Sequence, residues 1–371
     1  MSQQPRKIFG LLLALVVLTG ASLEPADVKS LVKELFPIPS TTGNEDLLAA
    51  KVRGLLPPGL AAGEDGLGTV TVRLGATPGP TLLLAALDGY GHMVSGISPD
   101  GYLTIDRPVA PPHARFDAYL LGQPVIVSTA RGPVRGVVSQ PAMHLLTQER
   151  RKTLVENFSL ESAIIDIGVR SESEARDKGV EILDPVTFWP TLTELAGDKW
   201  SGPSLGLKAV AAVLVGVAES LSKEPPPGET VIAWAAQTKA AVRGRGARPA
   251  LGAARAKAKW RPGRAILVDV VAAGKDGTAP VAGKGPVLVQ PKDEPSVIRQ
   301  AFERAAAGAG VTCQFLAAAD SPLAIPFADP QSEVLTVALP VQFLNTPSEV
   351  VDLKDILALR DLLLKFLRTG A

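Results

Sequence analysis

Three histidines and one cysteine are the only imidazole and thiol groups in this chain of 371 residues: His92, His113, His144 and Cys313. One cysteine excludes an internal disulfide framework and a cysteine-based zinc site. Carboxylates are left as the groups most able to do chemistry, and two of them stand where apolar strands end. Leu82-Leu83-Leu84-Ala85-Ala86-Leu87 runs into Asp88-Gly89, and Leu267-Val268 runs into Asp269-Val270. An aspartate at a strand end can be a turn former, bonding local backbone, or a group that orients or binds a cation. His92 lies four residues beyond Asp88 and would share its face on an extended chain. It reads as a solvated or core-edge histidine before it reads as a ligand. His113 sits in a Pro-rich loop with no carboxylate cluster beside it. Cys313 lies in the apolar run Val311-Thr312-Cys313-Gln314-Phe315. With no histidine or acid next to it as an activator, it reads as packing. Ser201 and Ser204 fall in a Gly/Pro turn and are not read as hydrolase nucleophiles. Gly244-Arg245-Gly246 and Gly283-Lys284-Gly285 are too short to claim a phosphate cradle.

The elements that must carry these residues follow from the pattern. Pro25 to Phe36 predicts a helix with Val28, Leu31, Val32 and Leu35 on one face. Thr42-Gly43-Asn44-Glu45 has capping-box spacing ahead of a second helix through Leu55. Thr69 to Leu74 alternates as a strand. Pro80 to Leu87 is a nearly continuous apolar strand of the kind buried on both faces of a sheet. From Met93 to about Pro190, short alternating strands separated by Pro/Gly turns predict a small β unit inserted into the α/β pattern. That pattern resumes with a buried helix, Lys208 to Leu221, and strands Thr230 to Ala236 and Ala265 to Val271. A helix from Ser296, a strand at Val334 to Ala338 and a helix Asp352 to Leu367, opened by Pro347-Ser348-Glu349, complete it. Strands alternating with helices predict a layered α/β sandwich.

The formal net charge of +1 gives no global pull toward nucleic acid. Arg243 to Arg264 is a run of eight basic residues with no acid between them and Trp260 interleaved. It reads as a solvated helix face, with an anionic envelope polymer as the alternative partner. Arg6 and Lys7, an apolar run of about 11 residues and Thr19-Gly20-Ala21-Ser22 have the layout of a secretory signal. The expectation is a chain processed after residue 21 or anchored at its N-terminus, in the periplasm or outside the cell.

Several phrases in order resemble the glutamyl, deblocking and tetrahedral (TET-type) metallo-aminopeptidases. They are Asp65-Gly66-Leu67-Gly68; Pro141-Ala142-Met143-His144-Leu145-Leu146; Ile165-Asp166-Ile167-Gly168; Asp184-Pro185-Val186-Thr187-Phe188; Gly283-Lys284-Gly285-Pro286; and Pro347-Ser348-Glu349-Val350-Val351-Asp352-Leu353. The resemblance implies a three-layer α/β/α aminopeptidase fold. It divides the chain into residues 22–92 with 191–371, and an inserted β-barrel domain, 93–190, that serves oligomerisation. It also implies two divalent ions, zinc or cobalt, that activate a water, with a glutamate as general base.

Carried over one position at a time, the first ligand histidine falls on Ala86, and the aspartate that orients it persists as Asp88. The bridging aspartate falls on Gly206. The general base falls on Thr238 and the adjacent ligand glutamate on Lys239. A ligand aspartate persists as Asp269, and the last ligand histidine falls on Asn345. One retained ligand cannot hold an ion that takes about four donors, so no cofactor is expected. Lys239 is expected to replace the missing charge by pairing with Asp269, and with Asp88 as well. The expectation is a non-catalytic binding or scaffold protein, a homo-oligomer with a peptide ligand and no nucleic-acid partner. The alternatives are a hydrolase with a rebuilt site, a regulatory subunit of an intact paralogue, and a module for an anionic polymer.

Overall fold

Four parallel strands form the centre of the molecule, in the order Thr230–Ala235, Thr81–Ala86, Arg264–Ala273, Glu333–Gln342. The computed structural model describes residues 27–370 apart from 77–78, 140–141, 157–159, 161–162, 240–249, 275–276, 278, 291–295, 319–320 and 329–331. The signal-like segment lies outside the described residues. On one side the sheet continues through Val70–Leu74 and Ala62–Glu64. On the other it continues through Glu349–Asp352, Lys199–Gly202 and Thr193–Leu195, with Val287–Val289 and Gln314–Leu316 branching off Glu333–Gln342.

The central strands are apolar throughout because both faces are covered. Leu83, Ala85, Ile232, Trp234, Ile266 and Val268 face one core, packed by the helices Val28–Leu35, Leu205–Lys223, Val297–Ala309 and Leu353–Thr369. Leu82, Leu84, Val231, Ala233, Ala265 and Leu267 face the other, beneath the helix Leu251–Trp260. The period of two along each strand assigns neighbours to opposite layers. Burial of apolar residues at roughly 1.5–3 kcal/mol each makes that alternation decisive. The helix Leu205–Lys223 is apolar enough to suit a membrane span, yet most of it is buried in the first core. It is a core helix.

Six antiparallel strands between His92 and Phe188 close into a barrel around Val94, Leu103, Ile105, Val125, Val127, Val138, Ile165 and Val186. The expected α/β fold with a small barrel is therefore what the chain forms. Two local expectations differ. The second helix starts at Asp46 with Glu45 as its N-cap and no side-chain cap bond. Thr42 instead donates its hydroxyl to Asp88 Oδ2 at 2.8 Å. Pro347-Ser348-Glu349 does not open the last helix: Glu349–Asp352 is a strand, and Asp352 caps the helix by accepting from the Lys354 N–H. A helix at Gln148–Glu156, unread in the sequence, lies within the barrel segment.

Candidate functional site

The ladder between Thr81–Ala86 and Arg264–Ala273 ends at Leu84 opposite Leu267. Beyond that pair the two strands part, and a cleft of about 840 Å³, counting space open to solvent, lies at their carboxyl ends. This is where ligands bind in open α/β sheets. The cleft brings together residues distant in sequence: Ala86, Asp88, Thr238, Lys239, Asp269 and Asn345 all line it. Gly206 lies just behind, in the first turn of the Leu205–Lys223 helix.

Asp88 is fully buried and its carboxylate is saturated with donors. Oδ1 accepts from the Thr238 N–H at 2.9 Å and the Thr238 hydroxyl at 2.6 Å. Oδ2 accepts from Thr42 and from the Lys239 N–H at 2.9 Å. A buried carboxylate must be bonded in this way to offset its lost hydration. Asp269 Oδ2 accepts from Ser321 Oγ at 2.6 Å, and Oδ1 from the Val270 N–H.

The expected Lys239–Asp269 pair is not formed. The Lys239 ammonium donates to the backbone carbonyl of Asp88 and to Thr238 Oγ1, and lies 5.4 Å from the Tyr90 ring centroid. Donors from Thr42, Thr238 and the Lys239 backbone already occupy both oxygens of the Asp88 carboxylate, and the lysine ammonium bonds the carbonyl beside it.

Sequence reading missed three groups here. Glu349 Oε2 and Oε1 accept from the N–H groups of Gly206 and Asn345, each at 2.9 Å. Burial pushes this carboxyl up to about 7, against the pull of those donors and of Lys239. Glu45 accepts from the Gly43 and Gln237 N–H groups and is also pushed up to about 7, by burial and by Asp88. Lys208 donates to the Ile38 carbonyl at 2.8 Å, and burial brings its amine down to about 7. Glu349 was visible only as part of a phrase, because nothing in the sequence tells that the phrase folds back on Gly206.

The two-metal site implied by the resemblance does not fit these residues. Among the described residues, no three His, Cys, Asp or Glu side chains stand together as a cation site. Every oxygen of the Asp88, Asp269 and Glu349 carboxylates already accepts a hydrogen bond.

The other candidates lie elsewhere. His92 turns into the barrel, where Nε2 bonds Asp117 Oδ1 at 2.9 Å and the ring stacks on Phe116. Burial pushes the Asp117 carboxyl up, but His92 and Arg107 together hold it below its usual range. His113 packs edge-on against Phe116 and Tyr119. His144 lies in the short helical turn Met143–Leu145. Burial, with Glu303 adding, pushes the Cys313 thiol up to about 11, which suits an inert group.

Within the basic run, Arg243, Arg245 and Arg248 lie outside the described residues. Arg255 pairs with Asp65 and Arg264 with Glu333, Lys257 donates to the Pro326 carbonyl, and Lys259 lies over Trp260. These members are engaged within the fold and do not form the free polyanion face weighed for the run.

Comparison with known proteins places this geometry. A lysyl aminopeptidase of Pyrococcus furiosus is 28% identical over 283 residues, 74% of this chain and 76% of that protein. An Escherichia coli protein, SgcX, provisionally called an aminopeptidase, is 29% identical over 161 residues, and the match spans only 41% of its length. In structure the chain is similar to a TET aminopeptidase of a marine-sediment Thaumarchaeota archaeon, with a TM-score of 0.80, 23% identity, and coverage of 92% and 96% of the two chains. It is similar also to the TET1 peptidase of Pyrococcus horikoshii, which assembles into a tetrahedron or an octahedral shell, with a TM-score of 0.79, 24% identity, and coverage of 92% and 99%. The periplasmic or extracellular placement expected from the N-terminus is corrected by this company, the lysyl aminopeptidase and the TET assemblies, and is withdrawn. Residues 68–362 match the family model itself, and the chain belongs to the M42 glutamyl aminopeptidase family.

Proposed function

We propose that this M42-family chain has left the two-metal reaction of its relatives and keeps the cleft as a binding site for a peptide ligand. Asp88 and Asp269 are then remnants, and Ala86, Gly206, Thr238, Lys239 and Asn345 mark lost ligand and base positions. The observation that carries the reading is the packing at Gly206. A Cβ there would lie 2.7 Å from Val341 Cγ2 and 3.0 Å from Val270 Cγ1, with the Glu349 carboxylate 3.5 Å away. The volume that a bridging aspartate needs is taken by two valines and a carboxylate. Lys239 adds a positive charge to the cleft. A general base alone is worth roughly 10²–10⁴ in rate, and Thr238, spent on Asp88, cannot serve as one. The test is hydrolysis of aminoacyl substrates by the full chain with added zinc, cobalt or manganese. No turnover is expected; turnover abolished by chelator would overturn the reading in favour of a rebuilt metal site.

The reading extends to assembly. Residues 93–190 act as an inserted unit that mediates self-association, supported by the tetrahedral, octahedral and dodecameric assemblies of similar structures. Light scattering should give a multiple of the chain mass; a monomer at every concentration would contradict it.

A further inference from the structure

Lys239 follows the strand Thr230–Ala235, and its half-buried side chain lines the cleft. An ammonium carries three protons. One goes to the Asp88 carbonyl and a second to Thr238 Oγ1 at 3.4 Å, both neutral oxygens. Among the described residues no carboxylate pairs with this ammonium. A half-buried charge that meets only neutral oxygens is incompletely compensated for its lost water. Its third proton is left to whatever occupies the cleft.

The ammonium is also held in place. It lies 5.4 Å from the Tyr90 ring centroid, inside the range of about 6 Å over which a cation is attracted to an aromatic face. A lysine already ordered in this way loses less freedom when it meets a ligand. Tyr90 in turn meets Phe116 edge-on, with ring centroids 5.9 Å apart. Phe188, Leu207 and Leu344 continue this apolar wall. Edge-on and offset contacts of this kind suit a further aromatic ring.

The acidic groups set the polarity of the cleft. Asp269 is on a strand separated from that of Lys239 by Thr81–Ala86, two strand spacings or about 10 Å away. It accepts from Ser321 and the Val270 N–H, while Glu349 accepts from the Gly206 and Asn345 N–H groups. Each carboxylate therefore has donors of its own, and a ligand anion is favoured at the Lys239 end and opposed near Asp269.

We propose that the cleft holds the carboxyl end of a peptide whose last residue is aromatic, with its carboxylate on the Lys239 ammonium and its ring against Tyr90 and Phe116. This is the opposite end of a peptide from the one that an aminopeptidase trims. The proposal rests on the reading of the cleft as a peptide-binding site and gives that site a direction.

The test is calorimetric titration of the full chain, with chelator present, against three compounds that share one ring. N-acetyl-phenylalanine offers a carboxylate alone, N-acetyl-phenylalaninamide no charge, and phenylalaninamide an ammonium alone. The first should bind about 10–100-fold more tightly than either of the others, the range that a hydrogen bond between a charged pair contributes. Lys239→Met should abolish that preference and Lys239→Arg should keep it, each at an unchanged melting temperature. Equal binding of the acid and its amide, or a preference for phenylalaninamide, would overturn the carboxylate site and leave the peptide reading standing. A preference for the acid that survives in folded Lys239→Met would overturn the role of the lysine. Binding of none of the three would overturn the proposal and the peptide reading together.

Discussion

Burial drives Glu45, Glu349 and Lys208 toward the same pH from opposite sides. The two carboxyls rise from an ordinary 4.5 to about 7 in the fold. Their folded form holds the proton more tightly than the unfolded chain, so their contribution is complete below pH 4.5 and is lost as pH rises to about 7. Lys208 falls from 10.5 to about 7. Between those values the unfolded chain binds the extra proton, so its contribution grows as pH climbs from 7 toward 10.5. The three groups together give a stability minimum near pH 7. Urea unfolding across pH 5–10 should show Glu349→Gln flattening the acid arm and Lys208→Met flattening the alkaline arm. Variant curves parallel to the wild type at every pH would show that these groups do not titrate as their burial requires.

Elements meet closely where the helix Leu205–Lys223 begins. Gly206 packs on Val270 and Val341, from two parallel strands, and its N–H is held by Glu349 from a third. Gly206→Asp should therefore overpack the site and lower stability by about 1–3 kcal/mol. A stability equal to that of the wild type, measured by denaturant, would mean that the helix can withdraw to make room. The same junction shows what the sequence discloses and what it hides. Leu82 to Leu87 is readable as a doubly buried strand, because continuous apolar residues have no other satisfactory place. Thr42 is not readable as Asp88's partner: its capping spacing suggests an oxygen that accepts from a helix N–H, whereas its hydroxyl donates to a carboxylate 46 residues away. Lys239 and Asp269 can be assigned to strand ends on one side of the sheet, but their strands, Thr230–Ala235 and Arg264–Ala273, are separated by Thr81–Ala86, and their side chains do not meet. Glu349 lies 143 residues from the N–H that it accepts, a separation that no local pattern encodes.

At the scale of the whole molecule, the chain keeps the sheet, both helical layers and the barrel of its family while its cleft is lined by different chemistry. Second-shell losses alone cost about 10–100-fold in metal affinity, and on the proposed reading the changes fall at the ligand positions themselves. A lysine ammonium at one of them, and carboxylates saturated by N–H and O–H donors, leave no set of about four donors for zinc. The metal content of the folded protein is the quantity on which the loss of the two-metal reaction turns. Elemental analysis after equilibration with zinc, cobalt or manganese and removal of the excess should find far less than one ion per chain. About two ions per chain, released by chelator together with a fall in melting temperature, would contradict it.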